Sequence, residues 1–207
     1  MMNKIIRDIF ILFFLVLSAT AAVVHADDGT VFRGNGKEDT LREDTFLVKN
    51  IDYFAELGIA KPMTGLAAIN FSAESLDGKM VNLFDFKGKV IFLNFWATWC
   101  DPCKAEVKDI DKLWGMLKDE DFVVMAVDLR EKKKKVRTFI EEYGIDFPVY
   151  LDPSGRISSM YSVGGIPTTY IIDPDGNVVG KAIGPRDWGG KESIGFMRSL
   201  MRPKDKT

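Results

Sequence analysis

The run Val90–Trp96, VIFLNFW, constrains the fold more than any other stretch of the chain. A strand with one face in water alternates apolar and polar residues. This run carries a single polar side chain, Asn94, so both of its faces need cover. Residues 122–127 (FVVMAV) have the same character. Between the two runs, residues 102–118 set Val107, Ile110, Leu113, Trp114 and Leu117 at helical spacing. After the second run, residues 132–143 form a charged helix with Val136, Phe139 and Ile140 turned inward. Buried strands that alternate with helices call for a sheet covered by helices on both faces.

The flanks add hairpins. Residues 69–75 and 80–83 bracket Asp77-Gly78, and residues 168–172 and 178–183 bracket the turn sequence DPDGN. A short strand at 147–151 and a turn or two of helix at 154–161 form a β-α insertion. Residues 188–201 read as a closing helix in spite of their glycines. The expected fold class is therefore α/β. It has a mixed central sheet, an N-terminal β-hairpin and a β-α insertion, all within residues 67–201, with a short tail at 202–207. Residues 27–66 read as a linker or N-terminal extension. It is polar at first and then holds a short surface helix at 51–57, which stops at Gly58.

Residues 1–26 read as a targeting segment. Lys4 and Arg7 precede the apolar run IFILFFLVL, and Val24-His25-Ala26 suits the positions before a signal-peptidase cut at Asp27. The span is short for a membrane-crossing helix, which needs about 20 apolar residues. A cleaved signal peptide or a retained signal anchor both put the domain outside the cytoplasm, in a periplasm or on the outer membrane face. Disulfides persist there. The only membrane contact expected is through such an anchor. A net charge of −2 offers no basic field for nucleic acid.

Both cysteines of the chain, Cys100 and Cys103, lie where the strand 90–96 runs into the helix 102–118. A structural zinc site needs about four ligands, and the only histidine, His25, sits in the targeting segment, so no metal is expected. Covalent haem attachment needs CxxCH, and residue 104 is Lys. A structural disulfide at this spacing closes almost no loop and staples nothing. A redox pair remains. Unpaired N–H groups at a helix start favour a thiolate, which makes Cys100 the exposed nucleophile and Cys103, one turn on, the inward resolving thiol. Pro102 suits the first helical turn. Asp101 opposes a thiolate on Cys100 by like charge, which makes the dithiol a reductant and implies an upstream electron donor. Glu106, at i+3 from Cys103, reads either as a partly buried proton shuttle or as a plain exposed helix residue. Asn94 is expected to be buried and hydrogen-bonded, Trp96 to be core, and Trp99 to form an apolar rim for substrate. The run EKKKK at 131–135 reads as a solvated helix face, with an acidic partner or lipid surface as the competing reading.

The string FWATWCDPCKAE, with LDGKMVNLFDFKGKVIFLNFWATWC before it and VGGIPTTYIIDPDGNVVGKAIG after it, resembles the TlpA-like (ResA-like) extracytoplasmic thiol–disulfide oxidoreductases of the thioredoxin superfamily. The resemblance covers roughly residues 68–201. It implies a thioredoxin-like fold without a cofactor, and a cis Ile166–Pro167 bond beside the cysteines. Ile166 would pair its backbone with a substrate strand. The resemblance implies that Glu106 handles protons, and that Trp99, Asp101, Pro102, Ile166 and Pro167 contact a disulfide-bearing protein substrate. It also implies a membrane thiol donor upstream and a role in cytochrome c maturation. Ala68-Ile69-Asn70 departs from the family's Pro-Asp pair, which leaves the first strand's edge open. Two alternatives stand beside this reading. One is a peroxiredoxin-like thiol peroxidase, although Thr98 is two residues before Cys100 rather than three and no proline precedes it. The other is a non-catalytic redox-sensing module.

Overall fold

The computed structural model describes residues 52–61 and 66–201; the readings made for residues 1–51 and 202–207 lie outside the described residues. The elements run α1 (Tyr53–Glu56), β1 (Ser72–Ser75), β2 (Met80–Asn82), a 3-10 turn (Leu83–Phe86), β3 (Val90–Trp96), α2 (Asp101–Leu117) and β4 (Phe122–Leu129). They continue with α3 (Lys133–Tyr143), β5 (Val149–Asp152), α4 (Arg156–Met160), β6 (Thr168–Ile172), β7 (Val178–Ile183) and α5 (Lys191–Leu200). The strands form one sheet in the order β2-β1-β5-β4-β3-β6-β7. The centre, β5-β4-β3, is parallel, with α2 and α3 as crossovers. Each edge is an antiparallel hairpin, β1–β2 on one side and β6–β7 on the other.

All seven residues of β3 are buried, as a strand covered on both faces requires. The cover is unequal. One face packs α1, α2, α3 and α5 through Tyr53, Leu113, Phe139 and Phe196, in the same apolar layer as both cysteines. The opposite face is closed by the 3-10 turn and α4, through Leu83 and Ile157, and by an aromatic group of Phe71, Phe95, Tyr161 and Tyr170.

Several boundaries differ from the sequence expectation, three of them for a plain physical reason. β1 starts at Ser72 because residues before it turn aside: the Ala68 N–H bonds the Gly176 carbonyl and Ile69 faces solvent. β4 runs two residues further, to Leu129, because β5 pairs with it that far, and this carries Asp128 into the sheet. α5 starts at Lys191, with extended Gly190 as its cap, so Trp188 precedes the helix. The segment 52–61 packs onto the domain. Asp52 caps α1, Phe54 and Tyr53 meet the Phe196 ring, and Ala60 bridges to Lys181. Gly180 permits that approach, since a Cβ there would lie 2.7 Å from Ile59 Cγ2.

Candidate active site

β3 ends at Trp96, a turn spans residues 97–100, and α2 begins at Asp101. Cys100 is the N-cap of α2, in an extended conformation (φ −88°, ψ 104°), and its Sγ accepts the Cys103 N–H at 3.2 Å. The sulfur thus occupies the place that a capping oxygen takes at other helices. Pro102 lies in the first turn, where its missing N–H leaves nothing unpaired. Cys100 and Cys103 form a disulfide, with Cα atoms 5.2 Å apart. Cys100 was expected to be exposed; in the oxidised protein it is 5% exposed and Cys103 is 1%. Trp99, the residue before Cys100, stands 61% exposed.

The Ile166–Pro167 bond is cis. The Ile166 carbonyl oxygen lies 3.7 Å from Cys100 Sγ, so the loop before β6 closes over the sulfur. Among the described residues none makes a backbone hydrogen bond with Ile166, while the Pro167 carbonyl accepts the Gly184 N–H. A cleft of about 300 Å³ opens here, lined by Trp99, Arg130, Ser158, Val163 and the 164–166 loop. Trp99 and Ile166 flank this cleft, Pro167 is buried beneath it, and Asp101 and Pro102 are exposed at the helix start.

Glu106 is buried rather than exposed, which decides between its two readings of environment. Its Oε1 accepts Asn94 Nδ2 at 3.0 Å; its Oε2 accepts Trp188 Nε1 at 3.1 Å and the Arg186 N–H at 3.3 Å. Asn94 also donates to Thr169 Oγ1 at 3.0 Å. Burial raises the Glu106 carboxyl to about 7, and the three donors, which favour the anion, hold it from rising further. The Arg186 side chain in turn donates to the Leu57 and Gly58 carbonyls, so the segment 52–61 braces the site from behind.

Two further features differ from the sequence reading. Asp101 was set against the Cys100 thiolate, but Lys104 binds its carboxylate at 2.8 Å and holds that carboxyl below its usual value. Part of the repulsion is thereby offset. The run 131–135 is a solvated face only in its lysines: Glu131 is buried and accepts the Thr98 N–H at 2.6 Å and Thr98 Oγ1 at 2.8 Å. Thr98 thus spends its hydroxyl hydrogen on Glu131 rather than presenting it beside Cys100 as a peroxidatic site requires. Sequence reasoning missed Glu131, Asp128, Arg186 and Trp188. The i,i+4 spacing of Glu131 and Lys135, which do pair at 2.5 Å, was the one local signal.

Against known proteins, the AhpC/TSA family model matches residues 64–181. The thiol-disulfide oxidoreductase ResA of Bacillus cereus is 42% identical over 141 residues, which is 68% of this chain and 80% of that protein. A crystal structure assigned as the thiol:disulfide interchange protein DsbE of Chlorobium tepidum superposes with a TM-score of 0.61 at 30% identity, over 69% of this chain and 99% of the other. StoA of Bacillus subtilis superposes with a TM-score of 0.51 at 26% identity, over 56% of this chain and 89% of that one.

Proposed function

We propose that this chain, which belongs to the AhpC/TSA family and within it to the ResA-like thiol–disulfide oxidoreductases of the thioredoxin superfamily, is an extracytoplasmic disulfide reductant. The observation that carries the reading is the helix-capping sulfur: Cys100 Sγ receives the Cys103 N–H at the start of α2, beside an open cleft. A thiolate there is stabilised by the amide and by the positive end of the helix.

In the reduced protein the Cys100 thiolate attacks one sulfur of a substrate disulfide, and the other substrate sulfur leaves as a thiolate. Cys103 then loses its proton and attacks Cys100. The second substrate sulfur is released, and the protein is left with the Cys100–Cys103 disulfide. Two electrons pass from the enzyme to the substrate. Glu106, one turn after Cys103 on the same helix, takes the Cys103 proton and returns one when the enzyme is reduced again; a carboxyl at about 7 serves both directions near neutral pH. The Ile166 backbone, which has no backbone partner among the described residues, pairs with an extended substrate segment, and Trp99, Asp101, Pro102 and Pro167 shape its seat. The amino-terminal pattern of Lys4, Arg7, the apolar run and Val24-His25-Ala26 supports export. A reductant kept in an oxidising compartment needs a membrane thiol donor. By family analogy its substrate is the CxxCH disulfide of an apocytochrome c.

A Cys103→Ser variant tests the reading, because it cannot resolve. It is expected to accumulate a mixed disulfide through Cys100, and mass spectrometry of that adduct names the substrate. If no protein adduct forms, and the reduced wild type leaves protein disulfides intact, the reductase role is lost.

A further inference from the structure

Asp128 is the least exposed carboxyl among the described residues, at 0%, and the dithiol chemistry above does not use it. It stands near the end of β4, opposite Trp96 of β3. Alternation along β4 puts it on the face of Val124 and Ala126, which share a layer with Cys100 and Cys103. Among the described residues neither of its oxygens meets a donor at hydrogen-bond geometry. What it faces is a second carboxyl, Glu131. Glu131 binds the Thr98 N–H and hydroxyl, at 2.6 and 2.8 Å, and pairs with Lys135 at 2.5 Å. Two buried carboxylates that share one cation repel each other, and a proton between them turns that contact into a hydrogen bond.

We infer that Asp128 and Glu131 hold one proton between them and act as positioning residues for Cys100: Glu131 grips the turn through Thr98, and the Asp128 hydroxyl keeps Glu131 oriented. Thr98 lies in the turn whose Ala97 carbonyl accepts the Cys100 N–H, so a fixed Thr98 fixes the helix cap that stabilises the thiolate. Titration supports this division. Burial, then the hydrogen bond and charge of Glu131, push Asp128 up to about 8, with the Glu131 N–H and Lys135 acting weakly the other way. Burial also pushes Glu131 up, but Lys135, Asp128 and Thr98 outweigh it and hold that carboxyl below its usual value. The charged groups that face Asp128 are Glu131 and Lys135; Trp96, from β3, is neutral.

The inference rests on Cys100 being the nucleophile, and its test reads positioning rather than substrate reduction, so either reading can fail alone. The rate of Cys100 alkylation by iodoacetamide is followed against pH in the reduced wild type, Asp128→Ala, Asp128→Asn and Asp128→Leu. Asp128→Ala removes the donor and moves the midpoint up by at least about half a pH unit, a roughly threefold slower reaction at neutral pH. Asp128→Asn donates through its amide and restores the wild-type midpoint; Asp128→Leu fills the space without a hydrogen and does not. Equal midpoints in all four proteins, or an Asn variant that behaves like Ala, overturn the inference. Carboxyl ¹³C titration of the oxidised wild type needs no variant. One aspartate should titrate far above its ordinary range, and the proton-sharing pair is excluded if every aspartate titrates normally.

Discussion

Glu106 and Asp128 are both buried carboxyls in the layer beneath the dithiol, and they are held in opposite ways. Glu106 receives three N–H donors from β3, from the loop before α5 and from Trp188. Among the described residues Asp128 receives none at hydrogen-bond geometry and faces another acid. Burial raises both, to about 7 and about 8. Desolvation penalises the anion wherever it is imposed, and the donors decide how much of that penalty remains. The donor-rich carboxyl is left able to change state at neutral pH, as proton transfer needs. The donor-poor one, raised by burial and by the acid it faces, is the proton-sharing partner inferred above.

The hardest blow to this contrast is Glu106→Gln. Positioned acid–base groups are worth about 10² to 10⁴ in rate, so turnover of a protein disulfide should fall roughly 10²-fold at neutral pH. A stopped-flow profile from pH 5 to 9 should also lose its inflection near 7. If the inflection survives, the titrating group lies elsewhere and the contrast breaks. Stability carries the same signature. The folded carboxyl is raised from 4.5 to about 7, so the native state binds the extra proton between those values. Its contribution is full below the lower value and is lost as pH rises through the upper one. The stability gap between wild type and Glu106→Gln should therefore shrink by about 3 kcal/mol across that window in urea titrations, in the direction of rising pH.

Trp188→Phe sharpens the comparison by making Glu106 more like Asp128. The ring still packs edge-on against Phe92, where the indole centroid now lies at 4.9 Å, but one donor to the anion is gone. The Glu106 carboxyl should move further up, and the rate inflection should follow it to higher pH. Stability should drop by about 1 kcal/mol for the lost hydrogen bond, since Oε2 keeps the Arg186 N–H. An inflection that stays in place would mean that donors do not set the gap between the two carboxyls.

The sequence made the frame legible where local signals agreed. β3, β6 and β7 have the expected bounds because each is an apolar or alternating run bracketed by turn residues. The Cys pair was legible by elimination, and burial of Asn94 followed from its place inside an all-apolar strand. The missed residues share a physical cause. Glu131 sits at the head of a lysine run and reads as surface, yet the Thr98 N–H that buries it is 33 residues away. Trp188 meets Glu106 across 82 residues. A polar residue's burial depends on its partner, and no window of local periodicity contains these partners. Asp128 was hidden for the same reason, since its place in the sheet comes from pairing with β3 and β5, both distant in sequence.

The third carboxylate near the dithiol provides the control with the smallest expected effect. Asp101 is exposed and paired with Lys104, so its charge is tolerated without a proton or a buried donor. Asp101→Asn removes the anion and leaves Lys104 unpaired at the helix start, which favours the thiolate and makes the dithiol more oxidising. The ion pair already cancels much of the field at Cys100, and solvent screens the remainder, so the potential should rise by no more than about 30 mV. Equilibration against a glutathione buffer measures it. A rise well beyond that would restore the bare Asp101 charge as the main setting of the potential. A fall would mean that the Asp101–Lys104 pair, by holding Lys104 in place, is what stabilises the sulfur, and burial would then no longer be the variable that separates the three carboxylates.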